Sequence, residues 1–170
     1  VDREALRREL EAGIEGEVRF DAVSRALYST DASVYQISPV GVVVPRTRED
    51  ILRTLEICRR LRCSITMRGG GTSQAGQAIG SGIQIDLSKY YNRLLEVNAA
   101  ERWARVEPGI VLDELNAQLQ PLGLRFAPDH DLDVLLEGGQ ERHQPLHREA
   151  VELVVGERRY LRLIDAELLG

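Results

Sequence analysis

The chain has 170 residues, 43% of them hydrophobic, and a formal net charge of −5. That suffices for one domain or two small lobes with a proper core, and the acidic balance argues against nucleic acid or an anionic membrane as partner. No apolar run approaches the length of a membrane-spanning helix and no signal peptide precedes the first helix, so a cytoplasmic protein without a membrane span is expected.

In chain order, Asp2–Ala12 reads as an amphipathic helix, with Leu6, Leu10 and Ile14 on one face and Gly13 as its C-cap. Val1 opens the sequence and Met67 is the only methionine, which points to a removed start residue or a fragment. Val40–Val44 is a short apolar strand closed by Pro45. Thr47 then caps a helix whose stripe runs Ile51, Leu55, Cys58 and Leu61, with Glu49 and Asp50 favourable in its first turn. Ser64–Met67 is a strand, and Ile83, Ile85 and Leu87 alternate with Gln84 and Asp86 as a second one. Leu94–Val97 and Trp103–Glu107 form a further strand pair. Val111–Leu122 is a helix with Leu112, Leu115 and Leu119 inward, ending at Gly123. Helices and strands alternate, so the class is mixed α and β. Cys58 and Cys63 are too few for a disulfide framework and are not a C-x-x-C pair. They read as two small buried apolar side chains in a reducing compartment.

Between the strands Ser64–Met67 and Ile83–Leu87 lies an insert that holds six of the 15 glycines, Gly69, Gly70, Gly71, Gly76, Gly80 and Gly82. Glycine tolerates positive φ and lets other groups approach the backbone. Gly69 to Ser73 can therefore turn their N–H groups toward one point, a nest that attracts anions such as a diphosphate. Thr72 and Ser73 add hydroxyls, and Arg68 adds a positive charge at the rim. The Walker pattern is excluded because the only lysine, Lys89, lies outside the insert. The dinucleotide fingerprint fails because Gln74 stands where its third glycine is required, and because a strand, not a helix, follows Gly82.

The run Arg68-Gly-Gly-Gly-Thr-Ser-Gln-Ala-Gly76 with Ile85-Asp-Leu-Ser88 resembles the FAD-binding domain of the vanillyl-alcohol oxidase and p-cresol methylhydroxylase superfamily. Within it the sequence is most similar to the FAD-linked 2-hydroxy-acid dehydrogenases, such as D-lactate dehydrogenase and the flavin subunit of glycolate oxidase. Tyr28-Ser-Thr-Asp-Ala-Ser-Val-Tyr35, Val43-Val-Pro45, Val106-Glu-Pro-Gly109 and Phe126-Ala-Pro-Asp129 follow the same order, so the resemblance covers roughly Val18 to Asp129. It implies an α+β fold of the p-cresol methylhydroxylase type, two small α/β lobes with the second incomplete. The segments are an N-terminal helix over 1–17, the FAD-binding domain over 18–129 and a divergent tail over 130–170.

The same resemblance implies that the backbone amides of Gly69, Gly70, Gly71, Thr72 and Ser73, with Arg68, hold the FAD pyrophosphate. Gly76 gives room on the flavin side, Gln74 and Gln77 offer polar contacts, and Pro45 and the Pro108–Gly109 turn lie near the adenosine end. Some relatives attach FAD through a histidine in this loop; Gly71-Thr72-Ser73 has none, so non-covalent FAD is expected. The implied function is oxidation of a small 2-hydroxy acid by hydride transfer to the flavin. A substrate domain or an iron–sulfur electron-transfer subunit is the implied partner, and no catalytic residue is assigned. The alternative is a truncated flavin-binding or interaction module without turnover of its own. Asp86 reads as a turn cap rather than a ligand contact.

The tail departs from the family. His130, His143 and His147 read as exposed histidines, since Pro145 interrupts the only helical pairing and no H-E-x-x-H occurs. Asp129, Asp131 and Asp133 lack the glycine and glutamate of a calcium loop, so no metal site is expected. Val151–Val155 and Tyr160–Leu163 read as two strands of a hairpin.

Overall fold

Asp2 starts the first helix, α1 (Arg3–Gly13), by accepting at Oδ1 from the N–H groups of Glu4 and Ala5, 3.1 Å each. The computed structural model describes residues 2–126 in full and only the backbone of 161–162 and 164–165. The chain divides into two units, one made of Val1–Arg93 with Glu107–Val111, the other of Leu94–Val106 with the chain from Leu112 onward. In the first unit Leu6 and Leu10 are fully buried, so α1 is part of that unit's core. Gly13 is the last helical residue and Ile14, in extended conformation, is the cap. Glycine at position 13 answers a different need, because a Cβ there would come within 3.3 Å of Arg53 Cγ and Ile57 Cδ1.

The sheet of this unit is β1 (Glu17–Arg19), β2 (Gly41–Val44), β3 (Ile65–Arg68) and β4 (Ile83–Asp86), ordered β1-β2-β4-β3. β1 is antiparallel to β2, whereas β2, β4 and β3 run parallel, with Val43 opposite Ile85 and Met67 opposite Ile85 on the other side. β2 and β4 are buried along their whole length; β2 is a continuous apolar run, as a strand covered on both faces requires, whereas β4 alternates Ile83 and Ile85 with the buried polar Gln84 and Asp86. A short helix, α2 (Ala22–Leu27), capped by Asp21, precedes β2 and has no buried residue. Neither β1 nor α2 is visible in the sequence pattern, being three and six residues long.

Thr47 and Asp50 form a reciprocal capping box at the start of α3 (Arg48–Arg60), as the sequence predicts. The buried stripe is rotated from the expected one. Asp50, Thr54, Ile57 and Cys58 face inward, Ile51 is half-buried, and Leu55 is 40% exposed. Hydrophobicity alone points to 51, 55 and 58, but two polar residues can face the core because each is satisfied locally; Thr54 Oγ1 donates to the Asp50 carbonyl at 2.7 Å. The helix ends in a Schellman turn. Cys63 N–H reaches the Cys58 carbonyl at 2.8 Å, Arg62 N–H reaches that of Arg59 at 3.3 Å, and Arg62 takes the left-handed conformation at φ 53°. Cys58 and Cys63 are free thiols and both buried, as small apolar side chains; burial pushes the Cys58 thiol up to about 12.

In the second unit β5 (Leu94–Asn98) and β6 (Trp103–Val106) form the expected antiparallel pair, with a register shift between Leu94 and Glu96. α4 (Leu112–Leu119) buries Leu115 and Leu119 and passes into a 3-10 turn at Gln120–Leu122, where Pro121 prevents continuation, before Gly123 at φ 67°. β7 (Leu124–Arg125) follows. Of the expected C-terminal hairpin, 151–155 lies outside the described residues. β8 (Leu161–Arg162) pairs with β6, and β9 (Ile164–Asp165) pairs with β7. The three histidines and the 129–133 aspartates also lie outside the described residues. Among the described residues no helix is long and apolar enough to cross a membrane.

Arg62 pays for its left-handed backbone without a side-chain role in the core. Arg62→Gly should raise stability by about 0.5–1 kcal/mol, seen as a higher urea midpoint with an unchanged slope.

Candidate functional site

Because β2, β3 and β4 are parallel, their C-terminal ends open at one edge of the sheet, the edge where ligands bind in open parallel sheets. Residues 69–82 leave β3 at that edge and return to the start of β4, a crossover made without a helix. Gly71 (φ 70°) and Gly76 (φ 74°) take conformations that other residues avoid. Ala32 N–H donates to the Gly71 carbonyl at 3.1 Å, so the loop is held by its oxygen side. Among the described residues, the N–H groups of Gly69, Gly70, Gly71, Thr72 and Ser73 have no acceptor. Ser73 Oγ turns inward to accept from Ala75 N–H (3.3 Å) and Gln77 N–H (3.1 Å), closing the far limb of the loop. Thr72, Gln74 and Gln77 are exposed, and Gly76 lies against Tyr35, whose Cδ2 would be 2.9 Å from a Cβ there.

Arg68 is placed differently from the rim position suggested by sequence. Its Nη1 donates to the carbonyls of Thr30 (2.9 Å) and Ala78 (3.2 Å), and its guanidinium lies 5.2 Å from the Tyr28 ring centre. Segment 28–35 therefore packs directly on the loop. Asp31 accepts from Ser33 N–H and, at 3.2 Å, from Ala78 N–H. Tyr28 is anchored from below: its hydroxyl donates to Asp86 Oδ2, and Gln84 Nε2 donates to its carbonyl at 2.7 Å. Burial first, then the Asp86 carboxylate, push the Tyr28 phenol up to about 12, so it remains a neutral donor. Asp86 Oδ1 accepts from Ser88 N–H (2.8 Å) and Oγ (2.7 Å), the turn-capping role expected of it.

Pro45 is buried at the end of β2, beside a second polar hub. The Asp50 carboxylate accepts from the N–H groups of Glu15 (2.8 Å), Arg46 (2.8 Å) and Thr47 (3.1 Å). Asp50 thus also places a carboxylate in the first turn of α3, where the helix dipole favours a negative charge. Burial works against that charge, but the backbone donors outweigh it and hold Asp50 below the usual carboxylate range. The Pro108–Gly109 turn sits beside the glycine loop. A Cβ on Gly69 would lie 3.6 Å from the Pro108 carbonyl, and one on Gly109 would lie 2.1 Å from that of Leu87. Gly109 N–H donates to Tyr91 at 2.7 Å, and the buried Glu107 grips Arg93 through its N–H, Nε and Nη2 at 2.7–3.1 Å. Gly69–Gly71, Pro108 and Gly109 are thereby brought together, with Pro45 at the same sheet edge and Gln74, Gly76 and Gln77 on the outer limb.

Sequence reasoning missed Gln84 and the functions of Asp50 and Tyr28. The signal for Gln84 was available: a polar residue in the middle of an apolar strand. Among the described residues, no cluster of three or more His, Cys, Asp or Glu could hold a metal ion.

The fold defines the class. It matches alkyldihydroxyacetonephosphate synthase with a TM-score of 0.64 at 23% identity, over 75% of this chain and 26% of that one. It matches p-cresol methylhydroxylase with a TM-score of 0.61 at 16% identity, over 74% of this chain and 26% of that one. The α+β domain is of the p-cresol methylhydroxylase FAD-binding type. Residues 39–134 match the family described as FAD binding domain, and the chain belongs to that family. It is similar to the D-2-hydroxyglutarate dehydrogenases of Pseudomonas putida (42% identical over 74% of this chain) and Escherichia coli (41% over 69%), and spans 12% of the length of each. It is also 33% identical to glycolate oxidase subunit GlcD of Bacillus subtilis, over 68% of this chain and 26% of that protein.

Asp50→Asn should cost about 2 kcal/mol, because one oxygen must serve where two did and an amide faces a backbone N–H. A carboxyl depressed on folding stabilises fully above its unfolded value of 3.8, and that contribution fades as pH falls through its lower folded value. The wild-type advantage over the Asn variant in urea unfolding should therefore be constant from pH 7 to 5 and shrink below pH 3.8.

Proposed function

We propose that the chain is the cofactor-holding part of a flavin-dependent oxidoreductase acting on a small 2-hydroxy acid, with FAD bound non-covalently. The observation that carries this reading is the row of five N–H groups from Gly69 to Ser73 that have no acceptor among the described residues, at the C-terminal edge of a parallel sheet, in a chain of the FAD-binding family. A pyrophosphate fits this cradle, since it supplies acceptors for donors that have none among the described residues. Gly71 and Gly76 let Arg68 and Tyr35 pack directly against the loop backbone. Thr72 adds an exposed hydroxyl, Gln74 and Gln77 polar contacts on the outer limb, and Pro45 with Pro108–Gly109 the wall of the adenosine side. Arg68 acts from within the loop. Gly71-Thr72-Ser73 offers no histidine for covalent attachment.

When bound, the flavin supplies the hydride acceptor for the α-carbon of the hydroxy acid. The chain's own work is binding and orientation. The base and the groups that hold the substrate carboxylate come from a substrate domain or partner subunit, with an iron–sulfur protein as one electron acceptor. The similarity to the D-2-hydroxyglutarate dehydrogenases and the glycolate oxidase subunit supports the substrate class.

The test is retention of FAD by the purified chain after desalting, followed by acid precipitation. Flavin absorbance should persist and then leave with the supernatant. Gly71→Ala, which strains a φ of 70° and places a Cβ 2.4 Å from Arg68 Nη2, should weaken binding about tenfold or more. A chain that takes up no FAD on titration would overturn the reading and leave an interaction module without turnover.

A further inference from the structure

Building on the FAD reading above, we propose that Arg68 is a positioning residue that pre-forms the pyrophosphate loop, and is not itself a ligand of the phosphates. One nitrogen of the guanidinium joins two parts of the chain that are far apart in sequence. Nη1 bonds the Thr30 carbonyl on segment 28–35 and the Ala78 carbonyl on the returning limb of the glycine insert. One side of the group lies on Tyr28, itself fixed to β4 through Asp86 and Gln84. The group also fills the space under Gly71, where an added Cβ would be 2.4 Å from Nη2 and 2.7 Å from Cζ. Gly71 is therefore bare for the guanidinium as well as for its φ. Two further bonds run parallel to this one, Ala32 N–H to Gly71 and Ala78 N–H to Asp31, and both tie segment 28–35 to the loop. In each contact the loop offers its carbonyls and its return limb to segment 28–35, and the N–H groups of 69–73 are left over. Arg68 is the one side chain in this clamp that reaches both limbs. A loop ordered before the ligand arrives loses less entropy on binding, so the residue acts on affinity through the shape of the nest.

The planar, stacking guanidinium is what this role needs, and a charge alone is not. Lysine at this position keeps the charge and gives up the shape. Arg68→Lys and Arg68→Met should therefore weaken FAD binding to a similar degree, about tenfold or more, by fluorescence titration. A second measurement needs no cofactor. In the unliganded chain, amide exchange at Ala32 and Ala78 should speed up about tenfold in both variants, while Ile85 in β4 keeps its protection. Tyr28→Leu, which removes the stacking face, should reproduce this exchange pattern, and Tyr28→Phe, which keeps it, should not.

Retained FAD affinity in Arg68→Lys with loss in Arg68→Met would overturn the proposal and make Arg68 a charge contributor. Unchanged exchange at Ala32 and Ala78 in folded variants would overturn it as well. Should the Arg68 variants lose Ile85 protection, the Tyr28 pair decides: equal Ala32 and Ala78 exchange in Tyr28→Leu and Tyr28→Phe overturns it. Should the wild-type chain fail to take up FAD, the cofactor reading falls, and the exchange results still decide whether Arg68 orders the loop.

Discussion

The parallel pairing of β4 between β2 and β3 is the constraint from which the rest follows. A strand buried on both faces and hydrogen-bonded on both edges has no freedom to shift, and one residue of slip would turn Gln84 and Asp86 into apolar surroundings. Parallel neighbours also cannot be joined by a tight turn. The chain must cross back along the sheet between Arg68 and Ile83, and it does so with irregular backbone rich in glycine. The recognition loop is the part of the crossover that lies over the strand ends. Its position is thus a by-product of sheet topology, and its composition reflects how little room the crossover has.

The polar residues divide the work in an uncommon way for a nucleotide site. In many such folds a helix N-terminus receives the phosphates. Here the first turn of α3 carries its own carboxylate, Asp50, which collects the N–H groups of Glu15, Arg46 and Thr47. In the proposed reading the anion is held by consecutive amides in the loop, and the single lysine of the sequence is engaged by Glu17 instead. Positive charge near the loop comes from Arg68, which is committed to backbone carbonyls.

Much of this was legible in the residues. The glycine run, the two flanking strands and Thr47 as a cap all appear where the pattern puts them, because each depends on local chemistry. The errors share a cause. The α3 stripe was misphased since Asp50 and Thr54 face the core with hydrogen bonds that a hydrophobicity pattern does not register. Gly13 reads as a cap by its place at the helix end, whereas its role is close approach to α3. Arg68 reads as a positive charge at the rim because the carbonyls that engage it, at Thr30 and Ala78, lie 38 and 10 residues away and carry no side-chain signature. Position in a motif was readable; what a long side chain does with its end was not.

The contacts that hold the nest closed span the sequence about as widely as the β2–β4 pairing of the sheet beneath it. Arg68 to Thr30 and Asp31 to Ala78 are 38 and 47 residues apart. The glycine insert is the crossover between β3 and β4, so its two ends are fixed, and segment 28–35 can close on it, once those strands have paired. The nest is accordingly among the last features to form and the first to open. A nucleotide held there would leave the folding rate of the chain nearly untouched and lengthen the lifetime of the folded state, acting as a latch on a finished structure and not as its nucleus.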